Sequence, residues 1–221
     1  MGRRHRKGAG RRACTRGKRL GFRIQGGNAA FRRQIRQADN SLIFTGGKDL
    51  VLSDRDIKRE MGKGAIRFTP QISPSQIGGA SVDLHLSGEF FVFGKEHIGK
   101  KIDLQKTGFE KVTRKYAQSS ITLSPGQMCL GKTQERITLP SNIMGFLEGR
   151  SRYARMGLAV HVTSALVQPG SDNHQVLEIV NMAPFSVTVK KGMCISQVVF
   201  EYLKTPTSKP YNKFGKIARR Q

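Results

Sequence analysis

The sequence predicts an all-β fold, a sandwich or barrel of short strands introduced by one short helix. Two observations predict it. From about residue 80 onward, short runs alternate apolar and polar residues, and Pro or Gly turns punctuate them, as in a sheet with one buried face. Ahead of these runs stands a single helix-start signal, Ser53 followed by Asp54 and Asp56. At 221 residues, 37% of them hydrophobic and 24% charged, the chain suits one domain of ordinary size with an appendage.

The appendage comes first. Residues 1–40 hold thirteen Lys or Arg and one acid, Asp39, a net +12 that is half of the chain's +24. Glycines interrupt this stretch and no apolar periodicity marks a core-forming helix, so residues 1–47 read as a disordered basic arm. Three roles stay open for it. It can neutralise the phosphates of a nucleic acid. It can be an organellar targeting segment, against which its glycines and missing amphipathic face count. Or it is a terminal extension with no selected role.

From residue 49 the pattern is ordered. Ser53 is a good N-cap, and Asp54 and Asp56 suit the positive end of a helix dipole. Ile57 and Met61 continue an apolar spacing until Gly62 or Gly64 ends the helix. Residues 65–68 read as a strand, closed by Pro70 and Pro74. Residues 81–86 alternate as a half-buried strand does, and residues 89–93 form another. Residues 95–115, charged and aperiodic, are expected as a loop or insertion. Strands are then expected at 120–123, 128–133, 136–139, 143–147, 158–163, 176–180, 186–189 and 194–200. The organisation is thus a basic arm (1–47), a β domain (48–204) and a basic, mobile tail (205–221).

The net charge of +24, with a pI near 10.8, attracts polyanions generally: nucleotides, nucleic acid or an anionic surface. Cys14, Cys129 and Cys194 are few, odd in number and far apart, which argues against a disulfide framework and for a reducing compartment. No apolar run approaches the roughly 20 residues of a membrane span, and no signal-peptide core is visible. The expectation is a soluble, cytoplasmic protein without a membrane partner.

Candidate chemistry concentrates between Glu148 and Asn181. Arg150, Ser151 and Arg155 sit close together after a glycine turn, and both guanidinium groups could reach one anion, with the hydroxyl adding a hydrogen bond. Farther on, Leu177 and Ile179 flank Glu178, so strand alternation sends the carboxylate to the face opposite theirs. Two readings of Glu178 stay open on spacing alone: an outward, solvated carboxylate, or one facing a pocket as a general base.

A family resemblance decides between them. Gly149-Arg150-Ser151, Ala154-Arg155, Gly157-Leu158, His161-Val162-Thr163, Pro169-Gly170 and Leu177-Glu178 resemble the signature of dCTP deaminases, members of the trimeric dUTPase superfamily. Leu52-Ser53-Asp54-Arg55-Asp56-Ile57, Ala80-Ser81-Val82-Asp83-Leu84-His85-Leu86, Leu123-Ser124-Pro125-Gly126, Leu139-Pro140 and Gly192-Met193 with Ile195, Gln197 and Phe200 follow in the same order. The resemblance runs from about Leu50 to Tyr211.

It implies a distorted jelly roll of the dUTPase-like type and a homotrimer with sites between subunits. The implied activity is hydrolysis of the C–N bond of dCTP, giving dUTP and ammonia on the path to deoxythymidine nucleotides. Zinc-dependent nucleobase deaminases need an H-x-E and P-C-x-x-C ligand set. The chain lacks that set, so the expected chemistry uses no catalytic zinc, only Mg²⁺ accompanying the triphosphate.

Carried over position by position, the resemblance makes Glu178 the general base. Ser151 and Arg155 would shape the site and stabilise developing charge, and the backbone at Thr163 and Ser164 would position the water. Arg150 would hold phosphate, Gln197 would read the pyrimidine edge with an amide that donates and accepts, and Asp83 would lie near the Mg²⁺, contacting it through water. Tyr211, with Lys213 or Lys216, matches part of a tail that folds over the triphosphate. His85 and His161 are read as packing or surface histidines.

The chain departs from the pattern in three places. Gln168 stands where the dUTP-hydrolysing members carry an Asp that activates water; an amide cannot take that proton, so further hydrolysis to dUMP is disfavoured. Ser164 replaces the usual Ala at a main-chain contact. Ser171-Asp172-Asn173-His174 lacks the usual aromatic and glycine. The alternatives are a bifunctional deaminase and dUTP diphosphatase, a plain dUTPase, or a catalytically inactive nucleotide- or nucleic-acid-binding member using its basic arm.

Overall fold

Strand β2, Val82–Phe93, is the axis of the molecule, and its residues show why a sheet forms here. Val82, Leu84, Leu86 and Phe90 point into the core with no exposed surface, while Asp83, His85, Ser87 and Glu89 alternate outward. In the computed structural model, residues 51–214 are described. The basic arm and Lys216 lie outside that range.

The chain enters through helix α1 (Asp54–Gly62). Ser53 caps it: the hydroxyl accepts from Asp56 N at 3.3 Å while the Asp56 carboxylate accepts from Ser53 N at 3.1 Å, a reciprocal box that satisfies two free amide donors. The remaining strands are β1 (Arg67–Thr69), β3 (Thr113–Ala117), β4 (Ser120–Leu123), β5 (Met128–Thr138), β6 (Ile143–Gly149), β7 (Leu158–Val160), β8 (Leu166–Val167), β9 (Asp172–Asn181), β10 (Val187–Lys190) and β11 (Cys194–Tyr202). One-turn helices α2 (Ser151–Ala154) and α3 (Tyr211–Phe214) follow, with 3-10 turns at Pro74–Gln76, Lys95–His97 and Phe109–Lys111.

Among the described residues the large sheet runs β7-β9-β5-β2-β11-β6-β8, with β1 added on β5 and β3 on β2; β10 and β4 make a separate pair. Every pairing is antiparallel. The sheet curls until its ends meet, for a Cβ on Gly149 of β6 would stand 3.6 Å from that of Val160 on β7. The all-β expectation therefore holds. Inside the curl, Leu177 and Ile179 meet Ile137, Cys129, Leu86 and Phe90, and Phe68 lies edge-on to Phe200 at 6.2 Å. No described helix is long and apolar enough to cross a membrane.

Several expected boundaries move. Residues 81–86 and 89–93 belong to one strand, because the register with β5 slips between Leu86 and Phe90 instead of the strand ending. Gly88 sits at that slip with φ +88°, where a Cβ would come within 2.9 Å of Gln118 O. The two strands expected at 128–133 and 136–139 likewise fuse into β5, with a slip between Lys132 and Arg136. There the Thr133 hydroxyl donates to Glu135 O and accepts from Gln175 N, so a side chain repairs the interrupted ladder. The strand expected at 65–68 starts later, because Ala65 N and Ile66 N still bond back to Glu60 O. The 95–115 segment is not wholly irregular: its last part is β3, which pairs with β2. Strand β7 stops at Val160 rather than Thr163, and β9 begins at Asp172 rather than residue 176.

Candidate active site

Strand β9 delivers Glu178. Leu177 and Ile179 are 1% and 0% exposed, so alternation turns the carboxylate to the opposite face, where it borders a cavity of about 420 Å³. In register beside it stand Leu130 on β5 and then Phe91 on β2. Phe91 meets Phe109 edge-on at 5.8 Å, and Leu130 and Phe109 both line the cavity. The wall next to Glu178 is therefore apolar, suited to the faces of a flat ring.

His161 faces Glu178. The residue follows β7 with φ +56°, a left-handed conformation uncommon outside glycine, and its amide donates to Glu178 O at 2.7 Å. Its Nε2 is bound to Ser164 O; since a carbonyl only accepts, Nε2 carries the hydrogen. Its Nδ1 lies 3.3 Å from Glu178 Oε2, and among the described residues neither atom makes a hydrogen bond although both are buried. His161, expected as a packing or surface residue, is buried and lines the cavity beside Glu178. The one hint in the sequence is weak: His is enriched among non-glycine residues of positive φ.

The rest of the cavity lining is largely polar. Gln168, Ser171, Asn173, Gln175 and Tyr211 belong to it, and Ser164 lies near Glu178's end with His161. Thr163, one residue earlier on the same turn, is exposed and does not border the cavity. Tyr211 arrives from the end of the described chain: its amide donates to Pro169 O at 2.9 Å, and Asn212 N donates to Gly170 O at 3.3 Å. Gly170 permits this approach, with φ +78° and Pro210 directly over it. Tyr211 and Asn212, in the tail expected to be mobile (205–221), thus bond the Pro169-Gly170 turn.

A second group gathers where β2, β11 and β6 run side by side. Asp83, Gln197 and Glu148 are in register across these strands, and Arg150 Nη1 lies 2.7 Å from Asp83 Oδ2. Burial raises the Asp83 carboxyl above its usual range and outweighs the opposing pull of Arg150 and His85. Burial also raises the Cys194 thiol, helped by Asp83. Gln197 does not keep both halves of its amide free, as expected, because its oxygen accepts from the Ser81 hydroxyl at 2.9 Å. His85 is neither bare packing nor bare surface: Nδ1 lies 2.7 Å from Oε1 of the buried Glu135, whose Oε2 accepts from His85 N at 2.9 Å. Gln76 joins the same carboxylate at 3.0 Å.

Ser151 and Arg155 are exposed at the two ends of α2, while Arg150 is held by Asp83. Arg150, Ser151, Arg155 and Gln197 do not line the cavity that holds Glu178. One chain thus brings Glu178, His161, Ser164, Gln168 and Tyr211 together and leaves the other expected site residues on a separate surface.

The curled antiparallel sheet thus carries two polar surfaces, the cavity that Glu178 borders and the Asp83–Arg150 group. Comparison with known proteins gives the family. The family model described as dCTP deaminase-like matches residues 51–203, so the chain belongs to that family. It is 37% identical over 172 residues to a dCTP deaminase of Marinomonas sp. (strain MWYL1), covering 73% of this chain and 88% of that protein. A dCTP deaminase of Psychromonas ingrahamii is 38% identical over 172 residues, with the same two coverages. Among solved structures, the 2′-deoxycytidine 5′-triphosphate deaminase of Agrobacterium tumefaciens superposes with a TM-score of 0.57 at 18% identity. That match covers 71% of this chain and 49% of the other, and shows a shared fold.

Proposed function

We propose that the chain converts dCTP and water to dUTP and ammonia. One observation carries this reading: Glu178 borders a cavity of ring-binding character with one carboxylate oxygen buried and, among the described residues, unbonded. Family membership directs the chemistry. A water between Glu178 and C4 of the cytosine gives a proton to the carboxylate as its oxygen bonds to C4 and electrons move onto N3, and the carboxylate passes that proton to N3. The carboxylate then takes the proton of the new C4 hydroxyl and gives it to the exocyclic amine, the C4–N bond breaks, ammonia leaves and the carbonyl forms. His161, fixed through Nε2 to Ser164 O, presents Nδ1 to the same carboxylate. It orients Glu178 and shares the proton between transfers. The main chain of Thr163 and Ser164 positions the water.

Ser151 and Arg155 act from a neighbouring copy of the chain, in a homotrimer that joins the two surfaces into one site. Exposed apolar side chains on both surfaces support this reading: Met156, next to Arg155, is 57% exposed, and Val162 and Leu166, next to His161 and at the Glu178 cavity, are 67% and 40% exposed. Arg150 holds phosphate, oriented by Asp83, and Gln197 donates to the pyrimidine edge. The residues present do not fit a protein-held Mg²⁺. Asp83 is engaged by Arg150, and among the described residues no three His, Cys, Asp or Glu side chains form a ligand group. Mg²⁺ in this reading comes with the triphosphate. Gln168 cannot serve as a base, so dUTP is the end product.

Incubation with dCTP and Mg²⁺, followed by ion-exchange separation, tests this. Accumulating dUTP and ammonia is expected; dUMP would refute the reasoning on Gln168. Glu178→Gln should lower kcat by roughly 10²–10⁴-fold, the usual worth of a positioned base. Retained ammonia release would refute the role of the carboxylate.

A further inference from the structure

We propose that Gln76 and Glu135 are positioning residues: they fix the stretch of β2 that carries Asp83, and through Asp83 they aim the Arg150 guanidinium at a phosphate of the nucleotide. This rests on the reading of Arg150 as a phosphate ligand and is independent of the role of Glu178.

The stretch needs such support. Toward β11 it is bonded as a strand, with Leu84 paired to Ser196 and Leu86 exchanging bonds with Met193 and Gly192. On the other edge the pairing of β2 with β5 begins at Leu86, so Asp83 O and His85 N lie ahead of that ladder. Side chains take its place. Gln76 Nε2 donates to Asp83 O at 3.0 Å, and Glu135 Oε2 accepts from His85 N at 2.9 Å. The two side chains also hold each other, since Gln76 Nε2 donates to Glu135 Oε1 at 3.0 Å. His85 Nδ1 lies 2.7 Å from that same oxygen, and Gln76 is fixed at its other end, where Oε1 accepts from Ser73 N at 2.9 Å. Glu135 is 3% exposed, and a carboxylate so deeply buried is tolerated only while donors hold it. A cavity of about 160 Å³ lies against Gln76, His85 and Glu135, so bonds hold this unit where close packing does not.

From this brace the order passes outward. Asp83 Oδ2 lies 2.7 Å from Arg150 Nη1. The Arg150 backbone is anchored, its amide donating to Ile195 O at 3.1 Å, but its side chain is 39% exposed and Asp83 is the one carboxylate paired with it among the described residues. A long, exposed side chain loses much rotamer freedom when it grips a ligand. Holding it in place beforehand removes that loss from the binding step. A phosphate contact remote from C4 is made alike in the bound substrate and in the transition state, so its loss raises KM and leaves kcat unchanged.

The test is a double-mutant cycle on the full chain, with ammonia release from dCTP as the readout. Gln76→Leu should raise KM about tenfold, the order expected for one lost hydrogen bond, with kcat within about twofold of native. In an Arg150→Ala background the same change should add nothing, because the residue it acts through is gone. An equal rise in KM in both backgrounds, a loss confined to kcat, or an unchanged KM would overturn the proposal and leave the deaminase reading standing. Should Gln76→Leu not fold, Glu135→Gln keeps the shape, removes the charge that the donors share and is read in the same cycle. If the native chain turns over no dCTP, the deaminase reading fails, and the cycle is read as Kd for dCTP by titration calorimetry. The same coupling then supports the brace; additive effects, or no binding of dCTP, overturn it.

Discussion

Replacing Gly170 with Ala separates the docking of the tail from the folding of the β domain. Gly170 has φ +78°, where an L-residue costs about 1–2 kcal/mol. The new methyl would also stand 2.6 Å from Pro210 Cβ and 3.1 Å from Tyr211 N. Carbon atoms rest comfortably at about 3.5 Å, so Pro210 must retreat by about 1 Å. That movement breaks the bonds from Tyr211 N to Pro169 O and from Asn212 N to Gly170 O. At about 1 kcal/mol each, their loss shifts the docked-to-open ratio by about 30-fold. Amide hydrogen exchange reads this directly: exchange at Tyr211 should accelerate by about that factor, beyond any change at the core amides of β9. An unchanged Tyr211 amide with a lowered Tm would refute the reasoning, because the whole cost would then fall on the domain and none on the tail.

Asn181 is 0% exposed and bonds Leu123 O, Phe185 O and Ala183 N at 2.9, 2.8 and 2.9 Å. Asn181→Ala should cost about 3 kcal/mol by stranding three backbone groups, seen as a Tm lowered by about 6–12 °C. Burial pushes the Cys129 thiol up from 9.0 to about 12. The unfolded chain releases that proton first, so stability is full below pH 9 and is lost as pH rises from 9 towards 12. The loss is at most about 1.4 kcal/mol per pH unit. Urea midpoints at pH 8.5 and 10.5 should therefore fall more steeply for the native chain than for Cys129→Ala, and equal slopes would sink the assignment.

The periodic parts of the fold were legible and the irregular parts were not, for physical reasons. Val82, Leu84 and Leu86 announce their face by alternation, and Ser53 with Asp56 announces a cap, because both signals are local. The fusion of two expected strands into β5 depends on Thr133 bonding Glu135 and Gln175 across a slip, a contact spanning 42 residues to Gln175. Glu178 was legible as a side chain turned from the core, and the family resemblance supplied its role. His161 was not, since its position rests on a left-handed backbone that no periodicity encodes. The polar wall was half legible: the missing aromatic after Gly170 showed in the sequence, but only the fold reveals that Ser171 and Asn173 are buried against the cavity.

The Gln197 carbonyl accepts from the Ser81 hydroxyl, which fixes the amide and leaves both of its hydrogens to offer. Deamination changes the pyrimidine at C4 and N3 but leaves its C2 carbonyl untouched, and that carbonyl is the acceptor such an amide can grip in both molecules. In the proposed reading that grip is blind to the reaction, and spent nucleotide competes with fresh. An inhibition constant for dUTP close to the KM for dCTP is the expected sign; inhibition a hundredfold weaker would mean that other contacts do the sorting.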